Sequence, residues 1–443
     1  MPFDGISIES CQARIRERND LLNAVLSPVA TRAYREGPLA GVPYLLKDTW
    51  DTAGILTTGG SYRHRDRVPE ASSHAHRALE AAGAVLLGKS NLCDLAFSAE
   101  SDNHLRGPVR NPHDATRTAG GSTGGGAAAV ADGMAAFDWG TDFGGSIRGP
   151  AAFCGIVGMR LSHRAWPVGY EHFPRIAPFF WDLCGMGPLT KNVEDARIVT
   201  RAVKDALKTG GTGDVAMDID RVVLWLPDRA HALEWPTFAD DVKRALDRAK
   251  IAYEATAELP TPSRINDLFT EYLAAHFDEF MKSGELSMRE GFPAVLLGLA
   301  SRGRFDKRVH PNTGTLLLAV AAMSLRHRDK KSAAGGVARL REATARIWDR
   351  KTLILSPTTT ERPPKHGRAA FRTRLMSFCK LGNLVDATGL ALPFGDFPGR
   401  RRRFSRRGDD PAMPRSLQIM GPPGSEEAVY DLAARLEPLL SHS

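Results

Sequence analysis

Two hydrophobic periods take turns along this chain. Apolar positions recur at helical spacing from Ile8 to Leu26, then Val42 to Leu46 form a short continuous apolar run of the kind a buried strand shows. The helical period returns over Ser73 to Ala82 and gives way to a second strand-like run, Ala84 to Leu87. An alanine-rich stretch predicts a short helix over Gly125 to Ala131, followed by strands at Met134 to Trp139 and Ile156 to Met159 with a glycine-dense turn between them. Helix Val193 to Leu207, a glycine-rich joint at Gly210 to Gly213, strand Val222 to Leu226 and helix Phe238 to Lys250 come next. Ile265 to Arg350 reads almost wholly as helix, with breaks near Gly298, Gly303 and Pro311, and ends at strand Leu353 to Ser356. The tail predicts helix Phe371 to Ala387, strand Leu417 to Met420 and a last helix from Ser425 to Leu440, started by Ser425 with Glu426 and Glu427 in its first turn. Such alternation is the mark of an α/β fold. There is no internal repeat and no clean linker, which predicts a single domain over 1–443 with a helical insertion at roughly 262–350.

Composition narrows the classes. The 443 residues are 42% hydrophobic and 25% charged, the balance of a globular chain with a large core and not of a disordered one. No window approaches the ~18 consecutive apolar residues of a membrane helix, and MPFDGISIES has neither a basic nor an apolar leader region, so the expectation is a cytoplasmic protein without a membrane span. Five scattered cysteines without a C-x-x-C pair suggest reduced, buried thiols and neither a disulfide framework nor a zinc site. The net charge of +8 invites a nucleic-acid partner, but six of the positives fall between Arg400 and Arg407, flanked by Pro398, Gly399 and Gly408. That run reads as a solvated loop, and no nucleic-acid partner is expected.

Two motif matches do not fit their surroundings. Gly83 to Ser90, GAVLLGKS, satisfies G-x-x-x-x-G-K-[ST], yet a helix precedes it and its four middle residues are apolar, which makes it a strand and not a phosphate loop. Gly120 to Gly124, GGSTG, satisfies G-x-S-x-G, yet the polar run NPHDATRTA stands where that elbow needs a hydrophobic strand. None of the 13 histidines sits in a context that marks it as a general base, and His74 and His76 alternate by two in a helix, so they do not share a face for a metal.

Candidate chemistry lies in GGSTGGG (Gly120 to Gly126) and TDFGGSIRGP (Thr141 to Pro150), which a short helix and strand separate. Gly144 and Gly145 allow a turn tight enough for the backbone N–H groups of Phe143, Gly144, Gly145 and Ser146 to converge on a developing oxyanion. Ser146 then stands where a nucleophile belongs. A serine hydroxyl needs a base, and in the absence of a placed histidine the candidate is a lysine made neutral by burial. Lys47, at the end of the apolar run VPYLL, has that position. On the residues alone an alternative stays open: a surface Lys47–Asp48 pair and two unrelated glycine loops.

The stretch from Gly120 through SIRGPAAFCGIVG to Gly158 resembles the signature sequence of the amidase signature family. GPLAGVPYLLKDTWDTAGILTTGGS (Gly37 to Ser61) is similar to the family's lysine segment, and GPVRNPHDATRTAGGSTGG (Gly107 to Gly125) to its approach to the first serine. GMGPLTKNVEDA, LILSPTTT and MPRSLQIMGPPGSEE follow in family order, so the resemblance runs from about residue 8 to 440 and is weak only between roughly 210 and 350. It implies a mixed central β-sheet flanked by helices on both faces. It also implies a Ser-cis-Ser-Lys triad, with Ser146 as nucleophile, Ser122 as the bridging serine on a non-proline cis peptide, and Lys47 as base. Asp142 and Arg148 would hold the turn. No metal and no organic cofactor is implied; the partner is a small-molecule amide, and a homodimer is allowed. Phe143 stands where threonine or isoleucine is usual, and only its N–H is needed.

The activity implied is hydrolysis of a carboxylic amide by a stand-alone enzyme. The alternative is the glutaminase component of a tRNA-dependent amidotransferase, whose helical region and tyrosine-bearing loop have no clear counterpart here; an inactive scaffold is disfavoured because all three triad positions are filled. Tyr170, Phe173, Phe179, Phe180 and Trp181 crowd the segment that, in the family, approaches the acyl side of the site. They are either core or the wall of an aromatic channel that prefers aryl and alkyl amides to glutamine or malonamate.

Overall fold

A computed structural model describes residues 3–29, 36–166, 183–207, 215–226, 237–277, 279, 307, 309–325, 329–369, 372, 374–397, 399 and 411–440. The aromatic segment at 170–181, the joint at 210–213, the breaks at 298 and 303 and the arginine run at 400–407 lie outside them. The described elements are, in order, α1 (Ile8–Leu22), β1 (Val25–Pro28), β2 (Pro43–Lys47), α2 (His74–Ala81), β3 (Val85–Ser90), α3 (Gly124–Asp132), β4 (Phe137–Asp142), α4 (Arg148–Cys154), β5 (Val157–Arg160), β6 (Gly185–Thr190) and α5 (Val193–Leu207). They continue with β7 (Asp218–Leu224), α6 (Phe238–Ala249), β8 (Ala252–Ala255), α7 (Pro262–Ala275), α8 (Pro311–Ser324), α9 (Lys330–Trp348), β9 (Thr352–Pro357), α10 (Ser377–Leu384), β10 (Thr388–Phe397), β11 (Met413–Gly421) and α11 (Glu426–Leu440).

The strands form one mixed sheet in the order β1-β3-β2-β4-β6-β5-β10-β11-β9-β7-β8. β2 runs parallel to both neighbours, with Leu45 opposite Asp138 of β4 and Lys47 opposite Ser90 of β3. Helices cover both faces. On β5 the side chains of Val157 and Met159 join a core with Val199 and Val203 of α5 and Val429 of α11. Gly158, between them, turns to the other face, where a Cβ would stand 2.6 Å from that of Ala151 on α4. Among the described residues no helix is long and apolar enough to cross a membrane.

The α/β expectation holds, and the differences have local causes. The first helix stops at Leu22 because Asn23 takes a left-handed conformation (φ 54°), which releases Val25–Pro28 to pair with β3. GAVLLGKS contains a strand as read, beginning one residue later and ending three residues later than expected, and its Lys89 is buried among the Trp50 carbonyl and the hydroxyls of Thr52 and Thr57. The helix expected over Phe371 to Ala387 is described only at Ser377–Leu384. β10 follows it, in a stretch whose Gly389, Pro393 and Gly395 read as breakers; Gly389 pairs in register with Met420 and Arg160, and the pairing shifts register between Pro393 and Asp396. The last helix begins as expected at Glu426, but the Ser425 hydroxyl donates to the Pro422 carbonyl instead of capping a helix N–H. All five cysteines are buried and unpaired.

Candidate active site

Lys47 is the last residue of β2, every residue of which is buried. Thr141 lies near the end of the neighbouring parallel strand β4, so both side chains meet at one rim of the sheet. The Lys47 ammonium donates to the Thr141 hydroxyl (2.9 Å) and carbonyl (3.2 Å), and its Nζ lies 2.7 Å from Ser122 Oγ. It is fully withdrawn from solvent. That desolvation brings its pKa down from 10.5 to about 8, against the weaker opposing pull of Cys93, Cys184, Asp138 and Asp142. The surface Lys47–Asp48 pair is excluded, because both residues are buried. Asp48 instead accepts from the N–H (2.9 Å) and hydroxyl (2.5 Å) of Thr58 and lies 3.9 Å from the Lys89 ammonium.

Ser122 sits at the entry to α3, and the Gly121–Ser122 peptide bond is cis. Close packing of this loop requires glycine: a Cβ on Gly121 would lie 2.5 Å from the Ser98 carbonyl oxygen. The Ser101 hydroxyl fixes the turn, donating to the Ser122 carbonyl (3.1 Å) and accepting from the Gly124 N–H (3.0 Å). The Thr123 N–H then donates to the Ser146 carbonyl at 3.1 Å, which ties the first glycine loop to the second.

The second loop is organised around the Asp142 carboxylate. It accepts from the N–H groups of Gly145 (2.9 Å), Ile147 (3.1 Å) and Arg148 (3.3 Å) and pairs with the Arg148 guanidinium. Arg148 has no solvent exposure; its remaining donors reach Gln418 (2.7 Å) and Asn383 (2.8 Å). Burial alone would raise the Asp142 pKa, but the adjacent guanidinium overrides it and holds the group far below the ordinary carboxylate range. This corrects one expectation. The Gly145 N–H is bonded to Asp142, so of the four backbone donors expected to converge on an oxyanion, those of Phe143, Gly144 and Ser146 remain as candidates. Asp142 and Arg148 do hold the turn.

Ser146 opens onto a cavity of about 320 Å³ that Gly121, Phe143 and Gly144 also line. The far walls come from α7, α8 and the segment leading into α10. The lining is mostly apolar; Phe143 meets Phe269 edge to face at 5.8 Å, and Leu316, Val320 and Met376 extend the surface. Thus the Lys47 ammonium meets the Ser122 hydroxyl, and the loop that carries Ser122 is bonded to the loop that carries Ser146. Thr141, Ser101, Asn383 and Gln418 were not anticipated. Thr141 was readable as the neighbour of a strand-end lysine, whereas nothing local marks Asn383 or Gln418, which lie 235 and 270 residues from Arg148. Among the described residues no group of three or more His, Cys, Asp or Glu is placed to hold a metal ion.

The family comparison classes the protein as an enzyme that hydrolyses the C–N bond of amides. The chain belongs to the amidase family, whose model, Amidase, matches residues 8–430. It is similar to the A subunit of the glutamyl-tRNA(Gln) amidotransferase of Moorella thermoacetica, 30% identical over 92% of this chain and 85% of that one. It is also similar to the corresponding subunit of Halobacterium salinarum, 28% identical over 94% and 99%. Among solved structures it resembles an amidase (TM-score 0.72, 24% identity, covering 98% and 95% of the two chains). It likewise resembles the A subunit of the Thermotoga maritima amidotransferase (0.72, 22%, 98% and 95%) and a peptide amidase from Stenotrophomonas maltophilia (0.69, 21%, 98% and 93%). At these identities the solved structures show the fold alone.

Proposed function

We propose that the protein cleaves carboxylic amides through an acyl-enzyme on Ser146, with Ser122 as the bridging serine and Lys47 as the base. The observation that carries this reading is the buried Lys47 Nζ at 2.7 Å from Ser122 Oγ, in a loop bonded to the Ser146 loop beside the cavity. Neutral Lys47 takes the Ser122 proton, Ser122 takes that of Ser146, and Ser146 Oγ adds to the amide carbon. The Phe143, Gly144 and Ser146 N–H groups stabilise the oxyanion. As the C–N bond breaks, Ser122 passes the proton to the departing nitrogen and is reprotonated by Lys47. Ser122, giving its proton to Lys47, then takes one from water as the water adds to the ester; as the Ser146–acyl bond breaks, Ser122 passes that proton to Ser146 Oγ and is reprotonated by Lys47, and the acid leaves.

The mostly apolar cavity favours a stand-alone hydrolase whose acyl group has an apolar body. The names of the curated relatives favour a second reading, the glutamine-hydrolysing component of a tRNA-dependent amidotransferase. The two part on substrate. The first reading expects the isolated protein to hydrolyse a neutral alkyl p-nitroanilide with higher kcat/KM than free glutamine, without added partner proteins. A preference for glutamine, or activity that arises only with such partners, would replace it by the second.

A further inference from the structure

The cavity carries a charge bias that the amide chemistry does not use. Its charged lining consists of Lys380, Arg372, Arg374 and Asp267, three cations against one anion. Arg372 is paired with Glu361 and, like Arg374, is exposed at the rim. Lys380 is different. It belongs to α10, and the residues before it, Met376 and Cys379, press on the nucleophile turn: a Cβ on Gly145 would lie 2.8 Å from the Cys379 Cβ and 3.2 Å from that of Met376. The Lys380 ammonium reaches into the wall of the cavity, donates to Asn266 Oδ1 at 2.5 Å and stands 5.2 Å from the centre of the Phe269 ring. The same ring reaches the nucleophile turn, since Phe269 Cζ is 3.3 Å from where a Gly144 Cβ would be. One aromatic ring therefore touches both the turn that presents Ser146 and the cation.

An apolar wall with a positive bias, and a cation one ring from the reacting serine, suit a ligand with an apolar body and a negative end. Resting on the amidase reading above, we infer that Lys380 is a specificity residue, and that the substrate is an amide whose acyl group is a short apolar chain ending in a carboxylate. The chain would run along Phe269, with the carboxylate received by Lys380 and the rim arginines favouring its entry. The lysine is half-buried; its loss of hydration lowers its pKa to about 8, against the pull of Cys379 and Asp267, and leaves it mostly charged at neutral pH.

The test compares glutaryl p-nitroanilide with pentanoyl p-nitroanilide, which differ at the acyl terminus, on the same protein preparations. The wild-type enzyme is expected to favour the glutaryl substrate by about tenfold or more in kcat/KM, the scale of one charge-assisted hydrogen bond. In Lys380→Met that ratio falls to about one, mainly through a raised KM for the glutaryl compound, and in Lys380→Arg it is largely kept. A misfolded fraction lowers both kcat/KM values by the same factor, so the ratio reports the folded molecules and the charge they carry. Equal kcat/KM for the two anilides in the wild-type enzyme, or an unchanged ratio in Lys380→Met, overturns the inference and leaves the amidase reading standing. Failure of the folded wild-type protein to cleave either anilide overturns both.

Discussion

The base role proposed for Lys47 rests on the strand that carries it: the run from Pro43 to Lys47 is buried throughout, and an ammonium at its end loses its hydration. Its neighbours respond to the same burial with the opposite sign, since desolvation lifts the Cys93 thiol to about 12 and the Asp138 carboxyl to about 7. A protonated amine cannot accept the Ser122 proton, so activity must increase as Lys47 loses its own. On a neutral anilide, chosen so that Lys380 does not act through substrate charge, kcat/KM should rise with pH through about 8 and then level off. Lys47→Ala should lower kcat by about 10²–10⁴-fold with the fold intact by circular dichroism. Lys47→Arg should be equally poor, because a guanidinium does not give up its proton in this range. A flat profile in the wild-type enzyme, or near-normal kcat in Lys47→Ala, would remove the lysine from the mechanism. This residue was legible in the sequence for a simple reason: a charged side chain at the end of an apolar strand is either at the surface or withheld from water, and the second case is chemically useful.

At the scale of elements, α4 and α3 set the two serines, each by a buried polar contact that admits no extra atom. The Asp142 carboxylate gathers the N–H groups at the start of α4 and neutralises Arg148 in the core. Asp142→Asn leaves that guanidinium without its counter-charge and should lower stability by about 3–5 kcal/mol in urea unfolding. The pH dependence has a definite sign. Asp142 is held below its ordinary 3.8, so its contribution is complete above that value and is lost as pH falls further; Asp142→Asn should lack this part of the acid destabilisation. On α3, a Cβ at Gly126 would meet Asp138 Oδ2 at 2.2 Å, so Gly126→Ala should cost about 1–3 kcal/mol by pushing the helix off the sheet. It should also reduce kcat, since Ser122 stands at the head of that helix. Elements with a regular period, such as Val193–Leu207, were readable to the residue. β6 and β10 were not, because both are buried strands whose glycines and prolines, among them Gly187, Pro188, Gly389 and Pro393, read locally as turns and are tolerated only where neighbouring strands accommodate them.

For the whole molecule, the spacing of chemistry and the spacing of specificity differ. The lysine, both serines and the Asp142–Arg148 turn lie within about a hundred residues along the chain, on adjoining strands and loops, which is why sequence pattern and family likeness could put them forward as candidates. The cavity wall is assembled from Phe143, Phe269, Val320 and Lys380, whose proximity is a property of the fold and leaves no local signature. The substrate expectation drawn from Tyr170 to Trp181 rests on residues outside those described, and the apolar lining seen here comes from other elements. Everything proposed for the site depends on Ser146 forming the acyl bond. Treating the intact protein with a fluorophosphonate and mapping the adduct by mass spectrometry tests it directly, since phosphonylation needs the same nucleophile and relay as acylation. One adduct is expected, on Ser146, formed much more slowly in Lys47→Ala. An adduct on Ser122 with Ser146 unmodified, or none on a protein shown to be folded, would contradict it.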